Sequence, residues 1–398
     1  MSEQWHREYI QLALRIDKTF HMLVDMPFVD YYYGPPEWKA ILENEPAQEP
    51  LDLLRAATAV LDTLPVQGFD AHRTTYLSKQ IIAMEMVCRK LNGEVFSLIE
   101  ELQRLFDIRF TWTPEAQLEE GLTLYNEALP GKGTLADRLE AWRTRHQLPL
   151  DKRGNDRTPA IIERIVTEIR RRTRALIALP TGEDVDLQLE MDSPFGGACW
   201  YLGNYRSHID VNVAAYRQGH INVLVDMLCH EIYPGHHTAS ILKDQHLYRE
   251  HGYVEESLGL IFSPGAVIGE SIATSACEVI FSPQELEQWL TEHVYPELGI
   301  EPQGEDVPKL QRAFDLLGGV WSNAAFLFRD KRPNEEVEVY LSKYLRRANI
   351  AFWQRPFCDF FPSVEYYGKR LAQPHLQGEN RQAFFRRLLT EQVYPSEL

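Results

Sequence analysis

Apolar positions recur at helical spacing through most of the chain. Over 3–24, Trp5, Ile10, Leu12, Leu14, Ile16, Phe20 and Leu23 fall on one recurring face. Periodic segments follow at 51–64, 71–106, 114–128, 134–147 and 156–178, divided by short breaks such as LPGKG at 129–133. The aromatic stretch FVDYYYGPPEW at 28–38 reads as a loop, because Gly-Pro-Pro breaks regular structure. Near 180 the period changes. VDLQLEM (185–191) alternates apolar and polar residues, and GGACWYLGNY (196–205) and SHIDVNVAAY (207–216) are rich in aromatic and branched residues. These predict three short strands. Helical spacing returns at 221–243, 264–281, 283–297, 305–329, 334–345 and 378–392. The expected fold is mainly α, a large helical protein with a small antiparallel sheet beside the apolar helix that starts at 221. A cleft is expected between two helical halves, 1–180 and 181–398, which form two domains or share one core.

Composition narrows the partners. With 41 basic and 58 acidic residues the net charge is −17, which argues against nucleic acid or an anionic membrane as the main partner. No apolar run approaches the roughly 18 residues of a membrane span, and the polar start MSEQWHREYIQLAL is unlike a signal segment. Five dispersed cysteines, odd in number, suit a reducing compartment, so a cytoplasmic location is expected. Cys229, beside His230, reads as a packing thiol.

Candidate chemistry gathers in DMLCHEIYPGHHTASIL (226–242). His230, Glu231, His236 and His237 lie within eight residues. Pro234 has no N–H, and its ring presses on the carbonyl of residue 230, which costs a helix interior roughly 3 kcal/mol. The helix therefore ends there or passes through a kink or bulge. In an unbroken helix His237 would sit about 10.5 Å along the axis from His230, and His236 would point elsewhere. A break at Pro234-Gly235 swings a later histidine round to His230. His236 is the preferred second metal ligand and His237 the rival, the other serving as an outer donor or substrate contact. Downstream, AVIGESIATSACEVIF (266–281) carries Glu270 in a small, apolar setting. A carboxylate from a second helix completes a His-His-Glu zinc site with one position open for water. Glu231 then takes a proton from that water and hands it to the leaving amine.

HEIYPGHH resembles the HExxPGHH signature of a large, poorly characterised bacterial family that looks related to the gluzincin metallopeptidases, a group including carboxypeptidase Taq and thimet-type oligopeptidases. GESIATSACE (269–278) looks like that family's downstream EGWALYAE block, with Glu270 matching its first Glu. HIDVNV (208–213) and EYYGKRL (365–371) resemble its strand before the metal helix and its C-terminal Tyr-Gly segment. The likeness covers roughly 195–375. Ser271 and Ile272 depart from the family's Gly and Trp, and Ala239 from a common Gln. The resemblance implies a zincin-like metal helix, one zinc ion or another divalent metal, and hydrolysis of short peptides.

Such an enzyme also needs an edge strand to hold the substrate backbone and a donor for the oxyanion. GGACWYLG is the candidate strand. Tyr366 or Tyr367 is the candidate donor, with His208 as a second. Arg206 and Arg355 are candidates to grip a terminal carboxylate. Two alternatives remain at this point: a metal-dependent amidohydrolase acting on a small non-peptide amide, and a non-catalytic relative that binds metal or peptide.

Overall fold

The structure is a computed structural model that describes residues 2–148, 157–190, 196–213, 221–346 and 350–398. Helices carry most of it. Before residue 180 come α1 (Ser2–Val24), β1 (Val29–Tyr32), α2 (Pro36–Ala40), α3 (Pro50–Thr63), α4 (Ala71–Leu91), α5 (Leu98–Phe106), α6 (Glu115–Ala128), α7 (Leu135–Arg145) and α8 (Thr158–Leu176). A sheet follows, of β2 (Asp184–Glu190), β3 (Gly197–Gly203) and β4 (Arg206–Asn212). Next are α9 (Ile221–Glu231), α10 (His236–Lys243), β5 (Leu258–Leu260), α11 (Pro264–Ile280), α12 (Pro283–His293) and α13 (Tyr295–Leu298). The chain finishes with α14 (Val307–Leu317), α15 (Gly319–Arg329), α16 (Asn334–Lys343), α17 (Ile350–Trp353), α18 (Phe361–Leu376) and α19 (Arg381–Thr390). The mainly helical architecture expected from the apolar period is the one observed. The ends of the periodic segment 156–178 and of the strand segments 185–191 and 207–216 fall outside the described residues.

Several boundaries differ, each for a local reason. The segment 71–106 is two helices, because Asn92-Gly93 ends α4 and Ser97 caps α5 by accepting from the Glu100 N–H. The segment 305–329 likewise divides at Gly318 into α14 and α15. Part of the aromatic stretch 28–38 is β1, antiparallel to β5, and that pairing lies far away in sequence. Helix α18 lies in a stretch for which the apolar period predicts no helix, and it contains Pro374 near its end.

The sheet is mixed rather than antiparallel. Asn204 and Tyr205, at φ of 53° and 61°, make a two-residue turn of the I′ kind that pairs β3 with β4. That hairpin commits one edge of β4, and β2 takes the other, where it runs parallel. Among the described residues the strand order β2-β4-β3 pairs no strand with the outer edge of β3.

Three apolar clusters fill the interior. One joins α1, α3, α4 and α5 to β5 and α18. A second wraps the sheet and α9 to α13 with α8 and α19. The third packs α6 and α7 against α14, α15 and α16. Helix α9 is the spine of the second cluster, with Leu224, Val225, Leu228 and Cys229 fully buried. Ser263 caps α11, accepting from the Ala266 N–H, and Pro264 opens its first turn. Among the described residues no single helix is long and apolar enough to cross a membrane.

Candidate metal centre

Pro234 ends the apolar helix outright. The last helical residue of α9 is Glu231, the chain turns through 232–235, and α10 begins at His236. The turn closes on itself: the Gly235 N–H donates to the Cys229 carbonyl at 2.9 Å and the Thr238 N–H to the Ile232 carbonyl at 3.2 Å. Only glycine fits at 235, because a Cβ there would lie 1.8 Å from the His230 carbonyl oxygen. The break is thus a clean stop and restart, tighter than a bulge within one continuous helix.

This turn sends the two adjacent histidines in opposite directions. His236 meets His230, with their Nε2 atoms 3.2 Å apart. Glu270, from α11, approaches both: 3.6 Å to His230 Nε2 and 3.4 Å to His236 Nε2. His237 instead is buried behind the site. Its Nδ1 lies 2.8 Å from Ser207 Oγ and its Nε2 3.5 Å from Glu183 Oε2. Glu183 is held in turn by Arg170 Nε at 2.8 Å and by the Tyr233 hydroxyl. As a metal ligand His237 is therefore ruled out by position. It braces the turn against the sheet.

The three donors fit a metal ion. Arms of about 2.0–2.1 Å in a tetrahedral shell separate their ends by about 3.3 Å. The two imidazole nitrogens are 3.2 Å apart, and Glu270 sets Oε2 3.6 Å from His230 and Oε1 3.4 Å from His236, so one donor atom from each residue lies within 4.8 Å of the others. Glu270 Oε2 is buried and has no hydrogen-bond partner, although a buried carboxylate oxygen ordinarily has one. Protonation tells the same story. Burial lowers His230 to about 4, so its imidazole is neutral. Burial also works against the charged form of His236, yet the hydrogen bond and charge of Glu270, with Glu231 and Asp30, hold it up at about 9. Glu270 is itself lowered, because the two imidazoles outweigh its desolvation. The metal-free cluster thus draws one positive charge to its centre.

Glu231 stands beside the triad without joining it, its Oε1 4.0 Å from His230 Nε2. Burial pushes its carboxyl up to about 7, with Glu270 and Asp30 adding and His236 opposing. The strand β3 runs across it: a Cβ on Gly197 would come within 3.0 Å of Glu231 Cγ and 2.7 Å of Met227 Sδ.

Two further carboxylates lie close enough to feel the charges of the triad, and neither carries a sequence signal. Burial raises Asp30, on β1, to about 6, and Glu365, on α18, to about 8, and both feel the charges of Glu270 and His236. Both nevertheless touch solvent. Cys199 points to this region too, its thiol raised by burial and by Glu231. Cys229 is buried against Cys277, as a packing thiol should be.

The remaining sequence candidates lie elsewhere. Tyr366 and Tyr367 follow Glu365 by one and two residues, so they point roughly 100° and 200° away from it on α18. Tyr366 OH sits 3.1 Å from Gln117 Nε2 and 3.3 Å from Thr113 Oγ1, and Tyr367 OH accepts from the Thr111 N–H at 2.6 Å. Both phenols tie α18 to the segment before α6, and neither is free to meet an oxyanion. His208 alternates with Ser207 along β4 and so takes the outer face, between Asp186 at 2.9 Å and Asp210 at 3.0 Å. Those aspartates raise its imidazole, and it is not a donor to the cluster. Arg206 pairs loosely with Asp184, and Arg355 donates to the Asp25 carbonyl.

No protein-family model matches the chain. No curated protein matches it either. Among solved structures, a candidate lipoprotein from Colwellia psychrerythraea is similar with a TM-score of 0.49 and 15% identity, over 90% of this chain and 67% of that one. A candidate lipoprotein of unknown function from Shewanella oneidensis is similar with a TM-score of 0.49 and 11% identity, over 87% of this chain and 71% of that one. Likenesses of this strength carry no argument about chemistry.

Proposed function

We propose that the chain is a zinc-dependent hydrolase that cleaves short peptides. The observation that carries this is the triad of His230, His236 and Glu270, spaced for a tetrahedral ion, with Glu231 next to it and outside it. The likeness of HEIYPGHH to the HExxPGHH signature supports the same reading. A zinc ion held by these three residues supplies Lewis acidity, polarising a carbonyl and acidifying water.

The rest is done by the chain. Glu231 accepts the proton of the attacking water and returns it to the departing amine. Its carboxyl lies beside His230 and outside the triad, the place from which a carboxylate can take and return a proton. The outer edge of β3, unpaired among the described residues, offers backbone N–H and C=O groups to an extended peptide, and Gly197 lets that strand pass close over Glu231. The Ser207–His237–Glu183 network fixes the turn on which His236 rides.

The test uses untagged protein. One zinc per chain is expected by elemental analysis, together with hydrolysis of a di- to tetrapeptide library. Glu231→Gln should retain the metal and lose turnover by about 100-fold or more, the usual range for a general acid–base residue. A protein that binds no zinc, or a Glu231→Gln variant as active as the parent, overturns the reading.

A further inference from the structure

A recess lies along the same two helices as the triad. Asp226, one turn before His230 on α9, and Cys277, two turns after Glu270 on α11, both line it. The separation along α9 is about 6 Å. The recess has a volume of about 100 Å³ and is partly open to solvent. Its walls are apolar and aromatic, with Trp142, Phe281, Phe314 and Leu310 prominent. The charged groups lining it are both carboxylates, Asp226 and Glu278.

The charges around it do not balance. Lys369, the nearby cation, is held by Glu278 at 2.5 Å and Asp315 at 2.7 Å. Asp226 therefore has no ion-pair partner among the described residues, and its carboxylate reaches solvent within the recess. Burial, with the charges of Glu278 and Asp315, pushes it up to about 6 against the pull of Lys369, so it is ionised at neutral pH. An apolar wall ending in an unpaired carboxylate is complementary to one kind of group: an aliphatic stem that ends in a cation.

We infer that this recess is a specificity subsite for a lysine- or arginine-type side chain of the substrate, with Asp226 as its charge partner. The inference rests on the peptidase reading for the word substrate. The site itself does not depend on turnover. With the scissile bond at the triad, a side chain of the neighbouring substrate residue spans the distance to Asp226. The stem displaces water from Phe281 and Phe314, and the cation meets a carboxylate that has no ion-pair partner among the described residues.

The experiment separates the two readings. Calorimetry of the zinc-loaded protein is run with N-acetyl-lysine amide and with N-acetyl-norleucine amide, which has no charge. The lysine amide is expected to bind about ten-fold more tightly or better, the effect of one charged hydrogen bond. Asp226→Asn should erase the difference, and Val223→Trp, which fills the recess and leaves the charge alone, should weaken the lysine amide as well. In matched peptides, the kcat/KM ratio of lysine to norleucine substrates should fall towards one in Asp226→Asn. Lysine-amide binding that depends on Asp226, with no peptide cleaved, would sustain the subsite and overturn the peptidase reading. Peptide cleavage with no lysine preference, and equal affinity for the two amides, would overturn the subsite alone.

Discussion

His236 and His237 are covalent neighbours with opposite surroundings. The first is a quarter exposed and faces His230 and Glu270, whereas the second is fully buried against Ser207 and Glu183. Substitution should therefore separate metal from scaffold. His236→Ala is expected to weaken zinc by more than the roughly 100-fold that even an outer-shell change can cost, with little effect on the metal-free fold. His237→Ala opens a cavity and strips Ser207 and Glu183 of a partner, which should cost about 3 kcal/mol. Zinc competition against a chelator reads the first, and urea unfolding of the metal-free protein the second. Zinc retained in His236→Ala and lost in His237→Ala would reverse the assignment. The sequence narrowed the ligand to these two positions, with His236 preferred and His237 kept as the rival. The choice depends on the path of the turn, which Gly235 sets by a backbone contact that leaves no trace in spacing.

The element that matters most is the stop and restart between α9 and α10. A methyl group at 235 would strike the His230 carbonyl, which is backbone and cannot swing aside. Gly235→Ala should thus cost about 3 kcal/mol and disturb the His230–His236 geometry together, seen as a lower unfolding midpoint and weaker zinc. Gly197→Ala on β3 is a milder case, because its methyl meets the flexible ends of Met227 and Glu231. There we expect about 1 kcal/mol of lost stability and a lower kcat at nearly unchanged zinc affinity, since Glu231 moves and the triad does not. A variant with normal kcat would show that β3 does not position Glu231. Elements were readable where they carry their own period, as α1, α9 and α11 do. The parallel pairing of β2 with β4 was not, because nothing within either strand records which edge its partner occupies. Helix α18 was hidden because Pro362 falls in its first turn, where proline is tolerated, and Pro374 near its end. With α18 missed, EYYGKRL drew attention to its tyrosines, whereas Glu365 is the residue that turns towards the site.

At the scale of the molecule, the site is assembled from parts that no local pattern links. Asp30 comes from β1, Glu231 from α9, Glu270 from α11 and Glu365 from α18, so only the folded chain shows how acidic its surroundings are. What brings β1 to helices α9 and α11 is its pairing with β5, and the turn just before β5 is anchored by a buried charge. Glu255 takes a two-pronged contact from Arg73 of α4, at 2.7 Å on each oxygen, and lies 3.3 Å from His6 of α1. Gln392, beyond α19, reaches both Glu255 and Glu256 at 3.0 and 2.8 Å. One carboxylate thus joins both ends of the chain to the middle. Burial alone would raise its pKa, but His6 and Arg73 outweigh that and hold it at about 2. The folded state therefore binds this proton less readily than the unfolded chain does, whose value is near 4.5. A carboxylate lowered in this way stabilises the fold fully above about pH 4.5, and the contribution drains away as the pH falls towards 2. Zinc-free protein should lose stability across that window, followed by urea midpoints at successive pH values. Glu255→Gln should be less stable than the parent at pH 7, because Arg73 is left without its counter-charge, and the gap should narrow below about pH 4.5 and close only as the pH falls to about 2. A parent and variant whose midpoints fall in parallel from pH 7 to pH 3 would show that the acid sensitivity lies in other carboxylates.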